Sequence, residues 1–172
     1  MSHTFALSRP RTYWALGGPL LLGALPGLRF GFGATLRLGP CLLAALLATA
    51  VIMGPALYLL WGLTGAKGSL ELVRRAFADA LTAAGRVHVG FAPAVLLLAA
   101  TVSYREHALF FGLAGFLGGL IVGAVRLWRA LQPGASRTHA AAVLVPWIVA
   151  SAIVGCRLAG QFLMPVLSGK GV

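Results

Sequence analysis

Apolar residues run in five long stretches along this chain, separated by short polar or basic connections. A helix that crosses a bilayer needs about 20 mostly apolar residues, within a range of roughly 17–25. Five windows qualify, at about 12–28, 39–63, 87–104, 108–128 and 140–167. The first is the most interrupted, because Gly17-Gly18-Pro19 and Pro26-Gly27 fall inside it, and it reads as a kinked or a re-entrant span. Gly54-Pro55 interrupts the second window, Pro93 the third and Pro146 the fifth, which ends near Pro165. Proline is tolerated in such helices when neighbours or water satisfy the freed carbonyl, and each is expected to kink its helix.

One stretch follows a different pattern. Leu70, Val73, Phe77, Leu81 and Ala84 recur at three- and four-residue spacing and so share one helical face. Glu71, Arg75, Asp79, Thr82 and Arg86 share the opposite face, and Ser69 is placed to cap the helix. Glu71–Arg75 and Arg75–Asp79 are opposite charges four residues apart, each worth a few tenths of a kcal/mol. Residues 69–85 therefore predict an amphipathic helix. It either lies on the membrane surface or extends the third span and bends at Gly85 or Gly90. The expected fold class is all-α: a polytopic transmembrane helical bundle of about five spans plus one amphipathic interfacial helix. No linker, low-complexity run or internal repeat divides it, so residues 1–172 read as one integral membrane domain.

Composition agrees with the pattern. Hydrophobic residues make up 59% of the chain, charged residues 10%, and the mean hydropathy is +0.92. An ordinary soluble domain is about 25% charged, so there is too little polar material here to coat a core. Lipid must cover much of the surface. Arg9 and Arg11 ahead of the first stretch resemble the start of a signal peptide, but no small-x-small cleavage site follows, and an uncleaved first span is expected.

The net charge of +11 would suggest nucleic acid in a soluble protein. Here the basic residues punctuate span ends and make no stripe with interleaved aromatics, so nucleic acid is not an expected partner. With five spans, one side carries Arg9, Arg11, Lys67, Arg74, Arg75, Arg86, Arg126, Arg129 and Arg137. The other carries Arg29, Arg37, Arg105 and Lys170. The bias places the N-terminus in the cytoplasm and the C-terminus outside, in what is expected to be a bacterial cytoplasmic membrane. Tryptophans and tyrosines mostly near span ends (Trp14, Trp61 and Trp128, with Tyr13, Tyr58 and Tyr104) fit an interfacial aromatic belt, whereas Trp147 is deeper and is expected to pack against neighbours.

Candidate chemistry is sparse. All three acids, Glu71, Asp79 and Glu106, sit in polar connections, so no carboxylate is available within a span as a proton relay or cation ligand. No His-Glu-x-x-His, Gly-x-Ser-x-Gly or P-loop pattern occurs, and an enzyme is not expected. Cys41 and Cys156, both in apolar segments, read as inert packing residues.

Arg157 is the most unusual residue. An arginine inside an apolar helix costs on the order of 3 kcal/mol on insertion scales. With Gln161 one turn away on the same face, it is suited to bind an anionic lipid headgroup, a phosphate or a partner's carboxylate; the alternative is that it snorkels to the interface. Gly115, Gly119 and Gly123, with Gly112 nearby, form a small-residue ridge on the fourth span, and Ser151, Gly155 and Ala159 form one on the fifth. Such ridges let helices approach closely, and these two are expected to pack on each other. His88 and His139, read as lying at the same ends of their spans, offer a conceivable ligand pair for haem or chlorophyll, against the plainer reading of interfacial histidines.

In layout the chain resembles the small five-span bacterial membrane proteins grouped with the Yip1-like family. The likeness rests on Gly54-Pro55-Ala56-Leu57-Tyr58, Gly65, Ala92-Pro93 and the run Trp147…Gly155…Gln161…Pro165. Arg157 departs from that pattern. The resemblance implies a scaffold-type role and transfers no functional residue. The leading expectation is a non-catalytic membrane subunit or scaffold, with membrane lipids and other membrane subunits as partners. The alternatives are a cofactor-holding subunit of an electron-transfer or photosynthetic assembly, and a small-solute transporter or channel with Arg157 and Gln161 in its path.

Overall fold

The structure, a computed structural model, describes residues 9–63, 70–101, 105–132 and 137–167. It holds five helices: α1 (Arg9–Gly27), α2 (Phe32–Leu63), α3 (Leu70–Thr101), α4 (Arg105–Leu131) and α5 (Arg137–Leu167). No strand occurs among the described residues. Away from water every backbone N–H and C=O must be satisfied within the segment, and an unbroken helix does this locally. The helices accordingly run without interruption through Pro19, Pro40, Pro55, Pro93 and Pro146. Ser69, Gly65, His3, Lys67, Tyr104 and Lys170 lie outside the described residues.

Four helices, α2 to α5, contain stretches long and apolar enough to cross a membrane. Their outward faces carry large apolar side chains such as Val51, Leu59, Leu97, Ile121 and Ile153. Such a continuous apolar exterior is far larger than a water-facing surface carries, and suits hydrocarbon. α1, with 19 residues and about 28 Å of rise, is the shortest helix. It is nevertheless built into the bundle, with Pro19 and Leu22 fully buried.

Residues 70–85 are the N-terminal half of α3 rather than a separate helix. Of the two placements open to this stretch, the observed one is an extension of the third span, without a break at Gly85 or Gly90. Its apolar face is buried inside the bundle at Val73, Ala76, Ala80 and Ala84, while Arg74, Arg75, Asp79 and Arg86 remain exposed. The physical reason is that its neighbours α2, α4 and α5 extend just as far and offer it an apolar partner. Trp61, Leu131 and Leu144 lie in the same core cluster as Val73.

α2 starts earlier than the hydropathy pattern places it. After α1, Leu28, Arg29 and Phe30 each donate a backbone hydrogen bond to the carbonyl three residues back. Gly31 then takes a φ of 105°, a region glycine enters without steric cost, and the chain reverses. The backbone N–H and the hydroxyl of Thr35 both donate to the Gly31 carbonyl, at 3.1 and 3.2 Å, and anchor the first turn of α2.

α1 and α2 form an antiparallel pair, as do α3 and α4. α1 lies between α2 and α3, and α5 packs on the far side of α2. α2 and α3 therefore touch only slightly, as do α4 and α5. α1 and α3 meet closely at Gly18 and Gly85: a Cβ on Gly18 would strike the Gly85 backbone, and a Cβ on Gly85 would strike the backbone of Trp14 and Ala15. Two core clusters result. One gathers Leu57, Trp61, Val73, Leu131 and Leu144; the other gathers Leu22, Leu42, Leu46, Val95, Phe116 and Ala159.

Candidate functional site

Where α3 runs below its crossing with α1, the four longer helices leave space between them. The result is an apolar cavity of about 130 Å³, lined by α2, α3, α4 and α5 and by no residue of α1. Small side chains hollow it out, among them Ala50, Ala80, Ala84, Ala124 and Ala152. Phe77 and Trp147 form part of the wall, edge to face, with ring centroids 6.2 Å apart at 75°. The indole N–H of Trp147 donates to the Met53 carbonyl at 2.8 Å and ties α5 to α2. The deeper placement expected for Trp147 is therefore observed, and its polar atom is satisfied as a buried indole requires.

Thr49 and Ser151, which line this cavity, each carry a hydroxyl. That of Thr49 donates to the Ala45 carbonyl in its own helix at 2.7 Å. That of Ser151 is buried and has no hydrogen-bond partner among the described residues. Serine within a helix usually bonds back to the preceding turn, so an orphaned Oγ in an apolar wall is unusual.

His88 lies in the middle of α3, fully buried, not at a helix end. Its ring stacks on Phe116 with centroids 5.5 Å apart and planes within 10°. Nε2 lies 3.2 Å from the Phe116 carbonyl. A carbonyl can only accept, so Nε2 carries the proton and Nδ1 is left as an acceptor, buried and without a partner among the described residues. Gly119 makes the room: a Cβ there would collide with the imidazole. His139 is exposed in the first turn of α5. The structure does not bring these two histidines to one site, and no cluster of three or more metal-ligating side chains occurs among the described residues.

The glycine ridge of α4 packs closely, but not on α5. Gly112 faces Pro26, Gly115 faces Leu22 and Phe91, Gly119 faces His88, and Gly123 faces Ala80 and Ala84. The ridge thus serves α1 and α3. On α5, Gly155 lies against Thr49 of α2 and the tip of Leu120, Ala159 is buried, and Ser151 lines the cavity. The expected pairing of the two ridges is replaced by these contacts. Four-residue spacing defines a small-residue face, but the side chains that protrude into it come from whichever helix lies opposite.

Arg157 and Gln161 are both exposed on the outer face of α5, in one stripe with exposed Ile153. Neither lines the cavity. Trp61, read as part of an aromatic belt, is buried in the core, whereas Tyr13, Trp14 and Tyr58 are exposed. Cys41 and Cys156 are free thiols.

At the exposed start of α3, Glu71 takes the predicted pair with Arg75 at 2.7 Å and adds Arg74 at 2.8 Å. Hydrogen bonds from Arg74 and Arg75 hold its carboxyl down at about 2, against an ordinary 4.5.

The cavity and the Gly18–Gly85 crossing escaped the sequence reading. Gly17-Gly18 was visible as a helix interruption, but nothing local marks which glycine meets another helix. Comparison of the chain with protein-family models, with curated proteins and with solved structures finds no match.

Proposed function

We propose that the chain is a non-catalytic integral membrane subunit that docks on another membrane protein or an anionic lipid through the Arg157–Gln161 face of α5. The observation that carries this reading is the position of Arg157. It projects outward from an apolar helix, four residues after exposed Ile153 and four before exposed Gln161. A guanidinium facing hydrocarbon is costly, and an anionic partner beside it removes the cost. Gln161 supplies a second hydrogen-bonding group on the same stripe. The Yip1-like layout points to the same scaffold role.

In this reading α1 is a fifth, short span, and the chain crosses the membrane five times with its N-terminus in the cytoplasm. The helix order supports the count. Arg74, Arg75, Arg126 and Arg129 share one end of the bundle, and Arg29 and Arg37 lie at the other.

Native mass spectrometry after gentle extraction tests the proposal. The expected result is retention of a second membrane chain or an anionic lipid, weakened at least about tenfold in Arg157→Leu, a loss of the size expected for one charge-assisted contact. Arg157→Lys should retain part of the binding. Recovery of the wild-type protein only as a bare monomer refutes it.

A further inference from the structure

We infer that the cavity among α2, α3, α4 and α5 is a binding site for a small, largely apolar molecule that carries one hydrogen-bonding oxygen, of the alcohol or ketone type, and enters from the bilayer.

Three observations converge on that ligand. The first is size and lining. About 130 Å³ of nearly wholly apolar space is close to the roughly 150 Å³ of an apolar cavity that stays dry and takes up benzene. Water gains nothing there, whereas an apolar guest recovers the dispersion contacts that the walls otherwise lack. The second is access. Ile121 lines the cavity and is also 63% exposed on the outer surface of α4. Ile148 and Ala152 of α5 line the same side and are half-buried. α4 and α5 touch only slightly, so the side of the bundle beside Ile121 and Ile148 is the route by which a guest enters from the bilayer.

The third observation selects the chemistry. Ser151 lines the cavity, and its Oγ is buried with no partner among the described residues. A buried hydroxyl left unpaired is costly, and a hydroxyl or carbonyl oxygen on the guest satisfies it. The Thr49 hydroxyl spends its proton on Ala45 but keeps acceptor capacity on the facing wall. A pure hydrocarbon, including the tail of a phospholipid, fills the space but leaves Ser151 unpaired. Trp147 and Phe77 supply aromatic faces and edges for a ring-shaped guest.

A matched pair of photoprobes tests this in phosphatidylcholine nanodiscs: an aryl diazirine bearing a benzylic alcohol, and the same aryl diazirine without the hydroxyl. Labelled positions are read by peptide mass spectrometry. The alcohol probe should label the 121–127 and 147–152 stretches saturably. It should do so about fivefold more than the hydrocarbon probe, the ratio expected of one hydrogen bond of ordinary net strength. Ser151→Ala should bring the alcohol down to the hydrocarbon level, and Ala152→Phe should block both probes there. Labelling of the outer residues Val51 and Leu59 should not change in either variant, which also reports that the fold is kept. Equal labelling by the two probes in the wild type overturns the inference. So does labelling of the cavity stretches only by a phospholipid with a diazirine in its acyl chain, which assigns the space to bulk lipid. The result is independent of Arg157, so failure here leaves the docking proposal standing, and the reverse holds too.

Discussion

Gly119→Ala should destabilise the bundle, and His88→Ala should rescue it. The added methyl would occupy space held by the His88 imidazole. That ring is fully buried and stacked on Phe116. Three losses follow. Displacing the ring breaks its hydrogen bond to the Phe116 carbonyl, worth about 1 kcal/mol. It disturbs the stack on Phe116, worth about 1 kcal/mol. It also overpacks the α3–α4 interface, at about 2 kcal/mol. Alanine returns about 1 kcal/mol of helix propensity over glycine, so the net cost is about 3 kcal/mol. Reversible unfolding in mixed micelles, titrated with dodecyl sulfate and followed by circular dichroism, measures it. In the His88→Ala background the collision is absent, and Gly119→Ala should be neutral or stabilising. The double-mutant cycle should therefore show a coupling of about 3 kcal/mol. A Gly119→Ala protein as stable as the wild type refutes the packing argument. So does a double mutant whose costs merely add.

Four further outcomes are expected. Gly85→Ala should lower stability by at least about 2 kcal/mol in the same assay, because its Cβ meets the Trp14 backbone and α1 must move as a whole. Gly90→Ala, which meets nothing within 4 Å, should be neutral or mildly stabilising. Trp147→Phe keeps an aromatic ring against Phe77 but removes the donor to Met53, and should cost about 1–2 kcal/mol by micelle unfolding. The Glu71 carboxyl is depressed to about 2 from 4.5, so its contribution is complete above 4.5 and is lost as pH falls toward 2. The protection of the first turn of α3, read by amide hydrogen exchange, should fall over that window in the wild type and be flat in Glu71→Gln.

The helical class and the places of the long apolar helices were legible because they depend on local properties summed along the chain. Unbroken apolar runs bounded by arginines leave helix as the economical backbone state in hydrocarbon. The second, fourth and fifth windows accordingly fall within α2, α4 and α5, and the third overlaps α3 as far as Thr101, its last residues lying outside the described ones. The amphipathic face at Val73 and Ala84 was legible for the same reason, and so was the Glu71–Arg75 pair, because i,i+4 geometry is fixed by the helix itself. The candidate site was far less legible. Arg157 and Gln161 were recognisable as sharing one helix face, but which way that face points was not, and a cavity is an absence shared by four helices that has no motif.

Partnerships between helices were the part that local pattern left open. The α4 ridge was a small-residue face from its spacing alone, yet whether it met α5, α1 or α3 depended on where α1 inserted. α1 wedges between α2 and α3, crossing α3 at Gly18 and Gly85, and leaves α4 and α5 apart. That single placement gives Gly119 to His88, exposes Arg157 away from the cavity, and opens the space at Ser151. Hydropathy and charge act residue by residue and so set what each segment is. Packing acts between segments far apart in the chain, through shape, and so sets what each segment faces.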